Sequence, residues 1–240
     1  MAGVYIAFGS IFSLVVLAVP DNAVPFGILQ LLAGLAFSLG LILVIVAGAE
    51  LFTGNTLMAG LWFDGSVGPG TIARAWAIAY AGNFIGSVAA VALFIFATGH
   101  LAGDGLVGAA GLEVADEKTA LAFHEAFASG ILANMLVCLA VWMTFAARTI
   151  PGKIIALVPP IGAFVAAGLE HSVANMSLIP FGLLVKQAAG PDFWTAASVA
   201  AGDYPTLTTG WMLWNIVWAS IGNVLGGGVV AAAYLYSYKD

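Results

Sequence analysis

The stretch GLEHSVANMSLIP, residues 168–180, sets a glutamate and a histidine side by side within a long apolar run. Between Lys153 and Lys186, Glu170 and His171 are the only ionisable residues. A charged group at mid-bilayer depth costs roughly 2.5–3.5 kcal/mol or more, so such residues need a partner or a purpose. The run is also too long: as one helix it would measure about 48 Å, against about 30 Å of hydrocarbon. A second overlong run, 25–63, carries Glu50 as its one charge and would reach about 58 Å. Both are read as broken helices. The first carries a break signal at ELFTGNT, residues 50–56, where Gly54-Asn55 is turn chemistry and Thr53 can bond nearby backbone.

The rest of the chain agrees with a membrane setting. Of 240 residues 62% are hydrophobic and 8% charged, a composition of an all-α multi-pass membrane protein. The formal charge of -6 is thinly spread and holds no basic stripe, which sets nucleic acid aside. The single cysteine, Cys138, excludes a disulfide framework and is read as a packing residue. Gaps between charges give six expected spans, near 1–19, 25–63, 72–98, 120–147, 154–186 and 211–237. The first opens at Met1 without a polar flank, which implies residues upstream. With the N-terminus inside, internal segments carry Arg74, Arg148, Lys153 and Lys239. External ones carry Asp21, Asp104, Glu113, Asp116, Glu117, Asp192 and Asp203, with Lys118 and Lys186. The excess of internal basic charge fits N-in and C-in.

The two breaks echo each other. Glu50 precedes Asn55 by five residues, and Glu170 precedes Asn175 by five. GNFIG at 82–86 is repeated as GNVLG at 222–226. Three spans per half make an inverted repeat, about 1–110 and 118–240 within one channel domain of 1–240, with the breaks meeting at the midplane. The bland alternative for GNxxG is small-xxx-small helix packing.

GAELFTGN, GILANMLVCLAVWM, GLEHSVANMSLIP and IGNVLGGG together resemble the signature segments of the formate/nitrite transporter family, the formate channels in particular. The resemblance spans nearly the whole chain. It implies an aquaporin-like inverted repeat of six spans, a homopentamer with one pore per protomer in the bacterial inner membrane, and a small monovalent anion as cargo. The family's amphipathic N-terminal helix has no counterpart in this sequence. The resemblance makes His171 the central pore histidine and Thr53 the pore threonine opposite it, unless the hydroxyl merely caps the second half-helix. Lys118 resembles the lysine that raises the potential around the pore; the alternative is a loop lysine paired with Asp116 or Glu117. Phe37 and Leu41 share a helix face and, with Phe164, match the constrictions. Asn134, Asn175 and Asn223 match family asparagines, with Asn223 expected to reach the pore; helix-to-helix hydrogen bonding is the alternative for each.

An imidazole can hydrogen-bond a carboxylate and supply a proton, so His171 is expected to ease a small anion through the driest stretch. Glu50 and Glu170, with Asn55, Asn175 and Asn134, are expected to support the breaks, the carboxylates accepting freed backbone N–H groups. His100 is expected at the membrane interface and His124 at a helix contact or vestibule. Neither an enzyme nor a cofactor is expected: His124 and His171 could ligate haem, but overlong spans have no place in that account. A water channel shares the expected fold, yet the chain holds no Asn-Pro-Ala. The expected cargo is formate, possible companions being acetate and lactate, with protons; a nitrite or hydrosulfide channel is the rival.

Overall fold

The computed structural model describes residues 1–20 and 23–238 and is helical throughout. Its helices are α1 (Ala2–Leu17), α2 (Phe26–Ala47), α3 (Phe52–Asn55), α4 (Ala59–Phe63), α5 (Pro69–Phe96), α6 (Leu106–Ala120), α7 (Phe123–Ala146), α8 (Ile150–Ala166), α9 (Ser172–Ala188), α10 (Pro191–Ala196) and α11 (Thr209–Ser237). Among these residues four helices, α2, α5, α7 and α11, are long and apolar enough to cross a membrane; α1 and α8 are shorter apolar helices. Asp21 and Lys239, used above for orientation, lie outside the described residues.

Both overlong runs are broken, but not where the turn residues suggested. α2 stops at Gly48, φ 72°, and α8 stops at Gly168, φ 66°. A left-handed residue at a helix end favours glycine, and each end closes with the same wrapped bond, Ala49 N–H to Val44 O and Leu169 N–H to Phe164 O. Gly54 and Asn55, by contrast, sit within helical turns: α3 runs on through a 3₁₀ turn, Thr56–Met58, into α4. The signal is therefore the glycine two residues before each glutamate.

α9 is the innermost helix, buried from Ser172 through Ser177 and packed by α1, α5, α6 and α11. α7 and α11 form the closest pair. A side chain at Gly222 or Gly226 would meet the carbonyls of Phe127 and Ile131, so these two positions need glycine for the backbones to approach. Outward faces stay apolar, as with Ile78, Ile85, Leu93 and Phe96 on α5, which suits a lipid or subunit environment. Two helices, α6 and α10, fold in segments read above as plain loops.

Candidate functional site

Each break leaves backbone groups without helical partners, and each is served by an asparagine from a distant helix. Asn83 of α5 accepts from Phe52 N–H at 2.9 Å and donates to Glu50 O at 2.9 Å. Asn223 of α11 accepts from Ser172 N–H at 2.8 Å and donates to Glu170 O at 3.0 Å and to Gly130 O at 2.8 Å. These are the asparagines of GNFIG and GNVLG. The glutamates also act in parallel: Asn55 Nδ2 donates to Glu50 Oε2, and Asn175 Nδ2 to Glu170 Oε2, each at 2.6 Å. The carboxylates thus take side-chain donors, where backbone N–H groups were expected; the backbone work falls to the asparagines.

The breaks bring His171 and Thr53 together. His171 caps α9, its Nδ1 accepting from Ala174 N–H at 2.9 Å, and its Nε2 lies 2.8 Å from Thr53 Oγ1. Because Nδ1 accepts, the proton of a neutral ring sits on Nε2 and is donated to Thr53 Oγ1. A second ring proton would meet the Ala174 N–H, so an imidazolium has to give up the cap. The two side chains are buried at 2% and 0% exposure. Shifting His171 by the 120-residue offset lands on Leu51, so only one half supplies an imidazole.

An aromatic pair adjoins the imidazole. Phe37 and Phe164 meet edge to face, centroids 5.4 Å apart, and Phe164 lies 5.7 Å from the imidazole. Both line a cavity of about 580 Å³, together with Ser13, Gln30, Glu117, Lys118 and Glu170. Leu41, one turn beyond Phe37, lines a different cavity of about 220 Å³ with Val44, Leu51 and Asn55. His171 and Thr53 line neither. The three expected constriction residues are thus divided between two cavities, Phe37 and Phe164 on one and Leu41 on the other.

Lys118 ends α6 and bonds Glu170 Oε1 at 2.6 Å, in place of Asp116 or Glu117. Asn215 of α11 donates to Glu170 Oε2 and to Lys118 O, each at 2.8 Å, and accepts from Asn175 Nδ2 at 2.7 Å. Glu170, 1% exposed, thus belongs to the wall of the larger cavity with its charge matched by Lys118.

The family model described as formate/nitrite transporter matches residues 1–237. The chain belongs to the formate/nitrite transporter family. It is 38% identical over 230 residues to the formate channel FocA of Escherichia coli (strain K12), covering 95% of this chain and 80% of that protein. It is 31% identical over 243 residues to the nitrite transporter NirC of the same strain, covering 99% and 81%. A solved structure described as a pentameric formate channel with formate bound superposes with TM-score 0.91 at 34% identity, covering 98% of this chain and 92% of that one. The relatives are channels and transporters, not enzymes.

Within this formate/nitrite transporter family member, the asparagines are the clearest revision. Asn223, expected at the pore, has its side chain committed to the second break and to Gly130. Asn134 Nδ2 donates to Asn223 O at 2.6 Å and Thr56 Oγ1 at 2.8 Å, bracing the strut from behind. Cys138 packs there too, its Sγ 3.4 Å from Thr56 Oγ1. His100 is buried just beyond the end of α5, with its ring 6.0 Å from Phe193 of α10, while His124 is exposed beside Phe123. Asn83 and Asn215 were missed. GNFIG had marked Asn83 as plainly as GNVLG marked Asn223, but packing was the competing reading; nothing local marks Asn215.

Proposed function

We propose that this protein is a channel for formate and related small monovalent anions, passing them between the two cavities by way of His171 and Thr53. The carrying observation is the 2.8 Å contact of Thr53 Oγ1 with His171 Nε2, both side chains buried and Phe164 beside the ring. A small carboxylate arriving there would replace each partner of that bond: Nε2–H and the threonine hydroxyl can both donate to its oxygens. Two donors in a dry site offset part of the desolvation that an anion suffers. To lend the anion a proton the ring must first take one at Nδ1, which requires the Ala174 cap to open; the imidazolium so formed gives its Nε2 proton to the carboxylate and returns to a neutral ring. Flux on this reading is pH-dependent and histidine-assisted. Apolar gates exclude hydrated ions.

The same reading takes the chain across the membrane six times as an aquaporin-like inverted repeat. Its support is the duplicated geometry of the breaks, glycine, glutamate and asparagine recurring at a shift of 120 residues. Five protomers assemble, each with its own pore, with both termini on the cytoplasmic face of the inner membrane. Similarity to a pentameric formate channel and the distribution of basic residues support these points. Similarity to a nitrite transporter keeps nitrite as the second cargo, with hydrosulfide, acetate and lactate also to be tried. Flux of each anion into proteoliposomes at two pH values tests the proposal. Formate flux absent at both, or indifferent to replacement of His171, would sink it.

A further inference from the structure

Three ionisable side chains line the larger cavity among the described residues: Glu117, Lys118 and Glu170. Two of them cancel, because Lys118 Nζ lies 2.6 Å from Glu170 Oε1 and both are largely enclosed, at 14% and 2% side-chain exposure. The net charge of the wall is therefore that of Glu117. Its position disfavours ionisation. It sits in the last turn of α6, near the carbonyl end of the helix, with Glu113 one turn back and Asp116 adjacent. Glu117 keeps an exposed edge at the cavity wall, and partial desolvation there, then Glu113, push its carboxyl above the ordinary glutamate range; Asp116 acts the same way and Lys118 opposes.

We propose that Glu117 sets anion access to this cavity. Ionised, it makes the wall net negative and turns small anions away; protonated, it leaves a neutral wall in which they gather. This rests on the channel reading above. Among the described residues no other charge on the surrounding elements lines the cavity unpaired. Asp116 accepts from Thr206 N–H and Oγ1, and is thereby satisfied as a carboxylate. Lys186 of α9 donates to Tyr204 O, and Asp203 lies beyond, near Tyr204. α1 and α2 bring the neutral Ser13 and Gln30, and α11 the neutral Asn215. Glu113 lies outside the lining.

One unit charge at such range, in a cleft between water and protein, changes the local anion concentration by about threefold to tenfold. Formate flux is measured in proteoliposomes with the same pH on both faces, so that orientation of the protein is immaterial. At about pH 8, well above the ordinary glutamate range, E117Q is expected to carry about threefold to tenfold more formate than the unaltered protein. The two should converge as pH falls toward the raised value of the Glu117 carboxyl. E113Q should keep the pH dependence but move its midpoint to lower pH, since one charge that raises Glu117 is gone. An E117Q profile that follows the unaltered protein at every pH, or that falls below it at every pH, overturns the proposal while leaving the channel reading intact. An unaltered protein that passes no formate at any pH brings down the channel reading and this inference with it.

Discussion

Replacing Asn223 by leucine, close to it in size, should unfold the second break. The side chain makes three bonds; of its partners, Glu170 O lies in the break and Ser172 N–H is a first-turn donor of α9 with no acceptor within the helix, so neither has a helical bond to fall back on. Gly130 O, the third, remains within α7. Each stranded buried group costs about 1–3 kcal/mol, which puts the loss near 4 kcal/mol. For a chain of this length that corresponds to a fall in melting temperature of roughly 8–16 °C. N83L strands two groups as well, but at a break where Glu50 is exposed and water can reach, so about half that loss is expected. Scanning fluorimetry in detergent reads both, and amide exchange at Ser172 reads the break itself. The reasoning fails if N223L melts within about 2 °C of the parent, or if N83L proves the costlier change. A variant that kept its melting temperature yet lost flux would return Asn223 to the pore.

Four further outcomes are expected. H171N should keep the cap on α9, because asparagine accepts well at that position, yet lose the reach to Thr53; its flux should fall and its dependence on pH should flatten. T53V should lose about tenfold in formate flux while T53S retains most of it, since hydroxyl and not shape is required. K118M strands Glu170 and should destabilise the protein by about 3–5 kcal/mol, whereas K118M with E170Q should recover much of that loss; equal costs would mean the ion pair is not coupled. Burial holds His100 below the ordinary histidine range, so its contribution to stability is whole above about pH 6.5 and is lost as pH falls from there through the folded value. Melting temperature followed against pH should show that loss in the parent and not in H100Q.

Much of the architecture was legible because a bilayer makes charge so expensive. Glu50 and Glu170 declared the two breaks before any packing was known, and His171 proves to be buried against Thr53 of the other break. The pairing of Lys118 with Glu170 was not legible: the residues are 52 apart, and a lysine beside Asp116 and Glu117 looks locally satisfied. The location of the breaks slipped for a related reason. Gly-Asn dipeptides favour turns on average, but φ at Gly48 and Gly168 decides where the backbone leaves the helix, and dihedrals of single glycines are set by tertiary fit. Asn83 and Asn223 carried a repeat signature yet not a role. What they hold is backbone, which any residue presents identically, so sequence spacing cannot name the recipient.

The two cavities differ in size and chemistry, about 580 Å³ with an ion pair in its wall against about 220 Å³ with Asn55 among apolar residues. Under the proposed function, dwell time is then lopsided. Cargo can queue on the α6 side, where rival anions would compete for occupancy, and has little to linger on at the other. Inward and outward passage through one pore would saturate at different concentrations even with identical chemistry at the centre.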